Sequence, residues 1–404
     1  MLTIKIAFRN IFRQKRRSLF TALTMIGGFV LAAFCFGIAD GIYGDVIDMF
    51  TRNSIGHVQV HAPGYRQKES LYKTIGGYDS LFRKIDGVKE VEQFAPRLYA
   101  SGLVSVREES NVAVIVGIEP ELENRATNFN KKVITGKHLT RKAAHTVLLG
   151  KGLAKNLKAS PGDTIVIVSQ AADGSIANDM YTVTGIVESG NREFDRIVLY
   201  MHLQDAQELF VLYGQIHEIV VIGEKSSEAQ ALSKTLRTVL GSSYDVAPWQ
   251  EIARTFYKSM KADIGGMYIM LVILLIVVAI SILNTVLMAV LERQREYGIL
   301  KAIGTRPTQI LFLILYETGI LALLSIGVSI VLSFIINYLF SLHGLQVPEP
   351  YYYGGMEFTH FRTVVNAKSF YIPALTIFGS ALLVSIFPAI KAARTEPAAT
   401  MRIH

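Results

Sequence analysis

Four long stretches of the sequence are almost free of charged residues, and they constrain the fold more than any other feature. Residues 18–39, 264–291 and 370–390 contain no charged side chain, and residues 310–342 contain only Glu317. A helix rises about 1.5 Å per residue, so roughly 20 residues cross the hydrocarbon core of a membrane. Buried helices of soluble proteins seldom reach this length without a charge. The sequence therefore predicts four transmembrane helices.

The basic residues are concentrated in short segments beside these stretches. Residues 1–17, 292–309 and 391–404 together carry 13 basic and 3 acidic residues, whereas residues 44–263 carry 26 of each sign. Short basic flanks stay on the cytoplasmic side of a membrane. We therefore expect both termini and the 292–309 segment to be cytoplasmic, and residues 44–263 to be external. Because topology explains the net charge of +8, no nucleic-acid partner is expected.

The expected topology divides the chain into nine segments, with the four membrane helices in a one-plus-three order. In chain order these segments are an amphipathic cytoplasmic elbow helix (1–17), transmembrane helix 1 (18–43), a large external domain (44–262), transmembrane helix 2 (263–291), a short cytoplasmic helix (292–308), transmembrane helix 3 (309–342), a short external loop (343–369), transmembrane helix 4 (370–390) and a cytoplasmic tail (391–404).

The external domain has the sequence pattern of a mixed α/β fold. Runs rich in Val and Ile alternate with helical segments, and Gly, Asn and Asp separate them. The strand candidates are residues 57–60, 112–117, 146–149, 164–169, 181–187, 197–201 and 218–222, and the helix candidates are residues 79–85, 204–212, 227–240 and 250–262. The fold class that we predict is thus an α-helical membrane protein with a large α/β extracytoplasmic domain.

The sequence carries no recognisable catalytic motif. It has no Gly-x-x-x-x-Gly-Lys-Ser/Thr phosphate loop, no His-Glu-x-x-His and no Gly-x-Ser-x-Gly. The nine histidines are scattered, and His57 and His61 lie in a strand-like run where residues four apart are too distant for easy chelation. We therefore expect no catalytic residues, no metal site and no enzyme activity in this chain itself.

The most informative segment follows the second long apolar stretch. Residues 292–304 read ERQREYGILKAIG, in which Glu292 and Glu296 are spaced as an i,i+4 pair on one helix. Ile299, Leu300 and Ile303 then supply an apolar face, and a glycine ends the segment. The pattern predicts a compact amphipathic helix between two spans rather than a flexible polar loop.

This run resembles the signature of FtsX-type ABC transporter permeases, and the chain is most similar to the lipoprotein-releasing LolC/LolE branch with a MacB-like periplasmic core domain. Further segments that resemble the family are residues 7–10, 16–19, 281–285, 387–394 and 396–397, and residues 150–154, 162–164, 185–186, 194–195 and 205–207 resemble the lipoprotein-releasing branch. The resemblance implies a location in the bacterial inner (cytoplasmic) membrane, with the external domain in the periplasm.

The resemblance further implies a half-transporter that works by mechanotransmission. The helix after the second span would be a coupling helix that docks on a separate cytoplasmic ABC ATPase, present in two copies, which binds ATP and Mg²⁺ while this chain binds no cofactor. A second permease, identical or a sister subunit, would complete the membrane part. The residues carried over as ATPase contacts are Glu292, Arg293, Arg295, Glu296, Gly298, Lys301 and Gly304.

The cargo that the resemblance implies is a lipoprotein or a similar amphiphile, passed from the inner membrane toward the outer membrane through a periplasmic chaperone or adaptor. Its acyl chains would enter a cavity between spans 1 and 2, lined by Phe29, Phe34, Phe36, Met267, Met270, Leu271 and Met288. Two alternatives stay open at this point. One is a MacB-like efflux or export permease with a periplasmic adaptor, and the other is a non-transporting FtsX-like regulator of an external enzyme.

Overall fold

The computed structural model describes residues 2–13, 15–353 and 356–395, with side chains except for residues 2–4, 53, 347–353 and 356–359. Residues 396–404, which include the family's closing residues 396–397, therefore lie outside the described residues. The chain divides into two compact units. The membrane unit comprises Met1–Tyr43, Met260–Gln346 and His360–His404, and the α/β domain comprises Gly44–Ser259 and Val347–Thr359.

Thirteen α-helices are present in the described residues. They are α1 (Leu2–Arg13), α2 (Lys15–Phe50), α3 (Asp79–Asp86), α4 (Pro120–Thr127), α5 (Lys151–Asn156), α6 (Arg192–Asp195), α7 (Leu203–Leu209), α8 (Ala229–Leu240), α9 (Trp249–Ile252), α10 (Arg254–Glu292), α11 (Gln294–Ala302), α12 (Pro307–His343) and α13 (Lys368–Arg394). Four of them, α2, α10, α12 and α13, are long and apolar enough to span a membrane. A short π-helix, Thr51–Ile55, follows α2.

Fourteen strands are present in the same residues. They are β1 (Val58–His61), β2 (Ile75–Gly76), β3 (Val91–Val106), β4 (Glu109–Ile118), β5 (Val133–Gly136), β6 (Thr146–Gly150), β7 (Thr164–Gln170), β8 (Ile176–Val187), β9 (Val198–His202), β10 (Gln215–Ile216), β11 (Glu218–Gly223), β12 (Asp245–Pro248), β13 (Leu345–Tyr353) and β14 (Met356–Phe361). Ten of them form one mixed sheet in the order β12-β1-β11-β3-β4-β9-β6-β8-β5, with β7 paired to both β3 and β8.

The double pairing of β7 closes part of this sheet. Residues 103–105 of β3 pair with residues 166–168 of β7, and β7 pairs along its length with β8. The strands β3, β4, β9, β6, β8 and β7 thereby form a ring of six hydrogen-bonded strands. Closure leaves these strands without a free edge, which removes a site for unwanted strand pairing. Side chains such as Val116, Leu148 and Tyr200 fill a buried cluster in this part of the domain.

In the membrane unit, α12 is the helix with the most extensive contacts, since it packs against α13 and α1. A core cluster joins apolar side chains from all four long helices, among them Phe29, Val278, Ala322 and Ile377. The buried side of α12 is partly polar, and its residues Ser325, Ser329, Ser333 and Asn337 recur every four positions. Small side chains at this spacing let helix backbones approach closely in a membrane.

Two glycines of α2 lie at such a close approach. A side chain at Gly37 would collide with the amide of Asn337 on α12, and one at Gly41 would collide with the backbone carbonyl of Arg362. The backbone amide of Val364 also donates to the Gly37 carbonyl at 2.9 Å. The glycine side of α2 is therefore fixed to α12 and to the segment that precedes α13, and we call this contact the glycine seam.

The elements differ from the sequence-based expectations mainly at their ends. The helices α2, α10 and α13 extend beyond the expected spans 18–43, 263–291 and 370–390, because polar residues outside the hydrocarbon can continue a helix. A two-stranded sheet, β13 and β14, occupies part of the expected 343–369 loop. All seven strand candidates coincide with strands, except that His57 and Ile197 lie one residue before β1 and β9. The helix candidate at 250–262 is divided between α9 and the start of α10.

Candidate functional site

The short helix α11 connects α10 to α12 and contains most of the residues that the sequence singles out. Helix α10 ends at Glu292, Arg293 lies outside helical geometry, and α11 begins at Gln294. This break corrects the expected i,i+4 arrangement of Glu292 and Glu296 on one helix. At the other end, Gly304 has φ +101°, a conformation that favours glycine, and α12 starts at Pro307.

Arg293 faces inward and is the centre of an ionic cluster. Its guanidinium donates to Glu296 Oε2 at 3.0 Å and to the Glu317 carboxylate at 3.2 Å. Glu317, the single charged residue of the 310–342 stretch, is thus paired with an arginine. Burial opposes the charge of Arg293, but the nearby Glu317 and Glu296 raise the pKa of its guanidinium. The cluster ties the start of α11 to α12.

The remaining inward contacts fix both ends of α11. Glu292 accepts from Arg17 Nη2 at 2.5 Å, and Glu296 lies 3.5 Å from Arg13 Nη2. At the other end, Lys301 Nζ donates to the backbone carbonyls of Ala393 at 2.7 Å and Thr395 at 2.8 Å. These carbonyls lie at the C-terminal end of α13, where a cation complements the helix dipole.

Apolar packing supports the same inward face. Tyr297 and Gly298 are buried, and Leu300 packs against the same cluster as Tyr297, whose other members come from α1, α10, α12 and α13. Burial raises the pKa of Tyr297 to about 12, so its hydroxyl stays neutral. Leu300 therefore belongs to a different face from Ile299 and Ile303, although the sequence places all three in one apolar set.

The outward face of α11 carries two exposed isoleucines. Ile299 is 55% exposed and Ile303 is 75% exposed, and the neighbouring Arg295 and Gly304 are exposed as well. Of the seven residues predicted to contact an ATPase, only Arg295 and Gly304 are on the open side without a described ion pair to another helix. The isoleucines were absent from that set, although their i,i+4 spacing could have identified them.

Four of the seven predicted cargo residues line one apolar groove between α2 and α10. The groove is bordered by Ala32, Cys35, Phe36, Met267, Met270, Leu271 and Leu274. Phe36 also meets Tyr268 edge to face, with ring centroids 5.9 Å apart. The cavity volume is about 20 Å³, which has room for about one water molecule. The groove is therefore too small for an acyl chain in this conformation.

The other three predicted cargo residues lie elsewhere. Phe29 is fully buried in the core cluster of the four long helices. Phe34 meets Phe340 of α12 at a centroid distance of 5.4 Å, so it faces the third span rather than the second. Met288 is exposed near the other end of α10 and does not border the groove. The helical repeat places these side chains on other faces because groove-facing positions recur only every three or four residues.

The α/β domain contains a second buried ionic cluster, which sequence reasoning missed. Arg97 of β3 donates to Glu123 of α4 at 2.6 and 3.0 Å and to Glu218 of β11 at 3.4 Å. Tyr99 donates its hydroxyl to the same Glu218 oxygen at 3.3 Å, and His61 lies 3.7 Å from the other oxygen. A cavity of about 840 Å³ borders this cluster.

Burial sets the protonation of this cluster. It raises the pKa of the Glu218 carboxyl to about 7, and Arg97 only partly opposes that effect. Burial also lowers the pKa values of His61 and His217 to about 4, so both imidazoles are neutral at pH 7. For Glu123, burial is outweighed by the bidentate Arg97, which keeps the pKa of that carboxyl below its usual value.

Comparison with known proteins gives consistent matches along the chain. Residues 18–239 match the family described as MacB-like periplasmic core domain, and residues 268–397 match the FtsX-like permease C-terminal family. The lipoprotein-releasing system transmembrane protein LolC of Neisseria meningitidis is 22% identical over 417 residues, covering 98% of each chain. LolE of Haemophilus influenzae is 22% identical over 360 residues, covering 85% of each chain. The solved periplasmic region of MacB from Actinobacillus actinomycetemcomitans has a TM-score of 0.37 and 16% identity, covering 52% of this chain and 97% of that structure.

These matches and the four long apolar helices define the class of the protein, a membrane permease of the ABC transporter type. The chain belongs to the family that carries the MacB-like periplasmic core domain, here followed by an FtsX-like permease C-terminal region. The predicted resemblance to the LolC/LolE and MacB permeases and the predicted fold class are thereby confirmed. The relatives and the apolar helices support a location in the bacterial inner membrane.

Proposed function

We propose that this chain is the permease subunit of an ABC transporter that extracts lipoproteins, or similar amphiphilic cargo, from the inner membrane toward the outer membrane. A separate ATPase, in two copies, binds ATP and Mg²⁺ and supplies the energy. The lipoprotein-releasing relative that covers 98% of each chain supports this cargo class. The observation that carries the proposal is the geometry of α11. One face is held by an ion pair and hydrogen bonds to neighbouring helices, and the other face exposes apolar side chains.

In this proposal the outward face of α11 is the ATPase contact. Ile299 and Ile303 are exposed on a helix that would lie in the cytoplasm, where burying their apolar surface stabilises a docked partner by about 25 cal/mol per Å². Arg295 lies beside them and adds a charge at the edge. The inward residues would transmit the displacement, since Arg293 connects α11 to α12 and Lys301 connects it to the end of α13.

The cargo step uses the groove between α2 and α10. Because the groove encloses only about 20 Å³, α2 and α10 must separate before an acyl chain can enter. Flexible methionines such as Met267 and Met270 suit acyl chains of different shape. The exposed apolar face of α10, with residues such as Ile273 and Val277, is suited to a second permease subunit, identical or a sister. The α/β domain would lie in the periplasm and pass cargo to a chaperone or adaptor.

The ATPase contact is tested by Ile303→Asp. We expect this variant to lose copurification of the ATPase and cargo-stimulated ATP hydrolysis, because an ionised carboxylate cannot be buried in an apolar contact without a large cost. The matched control is Ile176→Asp, an isoleucine that is 79% exposed in the α/β domain. Wild-type hydrolysis and ATPase copurification in Ile303→Asp would contradict the assignment of α11.

The cargo groove is tested through Cys35, the single cysteine of the chain. In the reconstituted complex, a bound triacylated peptide should block the reaction of Cys35 with a maleimide probe. Met270→Trp should fill the groove and reduce this protection and cargo release, whereas Met288→Trp, on the same helix but away from the groove, should leave both unchanged. Equal effects of the two substitutions would show that cargo does not use this groove.

The proposed orientation needs its own measurement. A cysteine introduced at Ser175, in the exposed turn between β7 and β8, should react with a membrane-impermeant reagent added from the periplasmic side. Reaction only after the inner membrane is opened would place the α/β domain in the cytoplasm and overturn the proposal.

A further inference from the structure

Three side chains with metal-binding donor atoms converge in the α/β domain, away from the residues assigned to coupling and cargo. One donor atom each from His145, Asp205 and Glu208 lies within 4.8 Å of the other two. Asp205 and Glu208 are three positions apart on α7, so both carboxylates lie on one side of that helix. His145 immediately precedes β6 and is therefore brought in by a different part of the chain.

The central member of this group, Asp205, is a buried carboxylate with no well-formed hydrogen bond. Asp205 is buried, and neither carboxylate oxygen has a hydrogen bond of ordinary geometry to the described residues, although the backbone amides of Ala144 and His145 lie nearby. An isolated buried carboxylate costs several kcal/mol unless it meets a charge or coordinates a metal. A cation held between the three donors would supply the missing partner.

The imidazole is already held by its neighbours. His145 stacks on the buried ring of Tyr181, with centroids 5.4 Å apart and planes inclined by 25°. Its Nδ1 lies 3.3 Å from Asp179 Oδ2 on β8. In metal sites, a carboxylate on a ligating histidine fixes the orientation of the ring and raises the basicity of its nitrogen. Asp179 is placed to do this for His145.

We propose that the α/β domain binds one divalent transition-metal ion, of the zinc type, through His145, Asp205 and Glu208. Zinc accepts imidazole nitrogen and carboxylate oxygen and can hold water in the remaining position of a four-coordinate site, and the imidazole disfavours Mg²⁺ and Ca²⁺. Ligand atoms about 2.1 Å from a tetrahedral ion are separated by roughly 3.4 Å. The side chain of Glu208 is exposed, so it can close the difference by a rotamer change while His145 stays in place.

Such an ion would connect the residues before β6 to α7, and it was not expected from the sequence. The ligands are about sixty positions apart, and His145 has no other histidine at a ligand spacing. The expectation of no metal site rested on the spacing of His57 and His61, neither of which belongs to this cluster. Only the pairing of β6, β8 and β9 brings the three donors together.

The test is zinc binding by the full chain, without a histidine tag, after chelator treatment and dialysis. Competition with a fluorescent zinc indicator should give one tight site per chain. His145→Gln and Glu208→Gln should each weaken zinc binding by at least about 100-fold, since even outer partners of ligands contribute about 10–100-fold. Glu193→Gln, a strongly exposed carboxylate in the same domain, should bind as the wild type does.

Folding of each variant is checked by the fluorescence of Trp249, the single tryptophan, which is buried in the same domain. The absence of a tight site in the wild-type chain, or equal zinc binding in the wild type and in both folded ligand variants, would overturn the proposal. Displacement of zinc by equimolar Mg²⁺ or Ca²⁺ would overturn the assignment of the metal class. Because the readout is binding, these results are independent of transport.

Discussion

Two arginines of this molecule are each buried between two glutamates, and they differ in how far those glutamates are exposed to solvent. In the α/β domain, Arg97 and both of its carboxylates are less than a tenth exposed. In the membrane unit, Arg293 is equally buried, but its two carboxylates keep 43% and 21% of their side-chain exposure. The same three-residue chemistry is therefore buried throughout in one unit and partly exposed in the other.

The difference indicates two roles for one type of cluster. A sealed cluster cannot open without leaving charges unpaired in an apolar interior, which costs several kcal/mol. A cluster with water-accessible carboxylates can rearrange, because each carboxylate can be hydrated when the pair opens. We therefore interpret the Arg97 cluster as a fixed support for β3, α4 and β11, and the Arg293 cluster as a joint between α11 and α12 that can move.

The chain has one native reporter in each unit, which allows the two clusters to be tested separately. Trp249, the single tryptophan, is buried in the α/β domain. Cys35, the single cysteine, lies in α2 of the membrane unit and is partly buried. Intrinsic fluorescence and a thiol-reactive dye thus follow the unfolding of the two units in the same sample.

The largest effect is expected for Arg97→Ala. It removes the guanidinium that pairs with the buried carboxylates of Glu123 and Glu218, so the free energy of unfolding of the α/β domain should fall by about 3–5 kcal/mol. Denaturation followed by Trp249 fluorescence should move strongly to lower denaturant, while the Cys35 signal should change much less. Arg107→Ala, at a highly exposed arginine in the same domain, is the control. A small shift in Arg97→Ala would show that the cluster is not a fixed support.

A smaller loss of stability is expected for Arg293→Ala. Because the partners of Arg293 can be hydrated, the membrane unit should lose about 2–3 kcal/mol, with an earlier Cys35 reaction on heating and an unchanged Trp249 transition. Coupling of ATP hydrolysis to cargo release should fall in the same variant. Arg295→Ala, its exposed neighbour, should leave the Cys35 transition at the wild-type temperature. If both variants behave alike, Arg293 is not a joint between helices.

The sealed cluster should also give a pH dependence through Glu218. Its pKa of about 7 lies above the ordinary value of 4.5, so between these pH values the folded domain holds a proton that the unfolded chain releases. The contribution of Glu218 to stability is therefore lost as pH rises toward 7 and beyond. Glu218→Gln removes this titration, so the stability of the variant relative to the wild type should rise from pH 5 to pH 8 by about 2 kcal/mol.

This comparison is measured by denaturant unfolding at both pH values with Trp249 fluorescence. His61 and His217, whose pKa values are about 4, give the opposite trend below pH 6.5, but they are present in both proteins and largely cancel in the difference. A difference between variant and wild type that stays constant from pH 5 to pH 8 would contradict the raised pKa of Glu218.

The smallest effect is expected for Lys301→Met. It removes two hydrogen bonds to carbonyls at the end of α13, and water can replace part of them, so the loss should be about 1 kcal/mol. The Cys35 transition should shift by only a few degrees. Lys391→Met, at an exposed lysine of α13, should have no effect. A loss as large as that in Arg293→Ala would show that both ends of α11 are equally fixed.

Much of the fold could be predicted from the sequence, because local patterns determined it. The uncharged stretches identified all four long helices, and runs of Val and Ile identified seven strands. The seven strand candidates do not include the longest strand, β3, because Pro96, Ser101 and Gly102 interrupt its apolar pattern. The closure of β7 onto β3 was not predictable, because it pairs residues more than sixty positions apart.

The candidate sites show the same limit. The sequence located α11, but the faces that its residues occupy depend on where α1, α12 and α13 pack, so Ile299 and Leu300 could not be separated. The cargo set combined residues by apolar character, whereas the helical repeat places Phe34 toward α12 and Phe36 toward α10. Whether these residues contact an ATPase or cargo stays a prediction.

The glycine seam bears on which side of α2 could separate from its neighbour to admit a ligand. Widening this contact would take the Val364 amide away from the Gly37 carbonyl, and a backbone amide without a partner is costly in lipid. On its opposite face, α2 contacts α10 through cysteine, phenylalanine and methionine side chains. These side chains can change rotamer at a small energetic cost. If α2 and α10 separate as proposed, α10 is therefore the helix expected to move, while Gly37 and Gly41 keep their contacts.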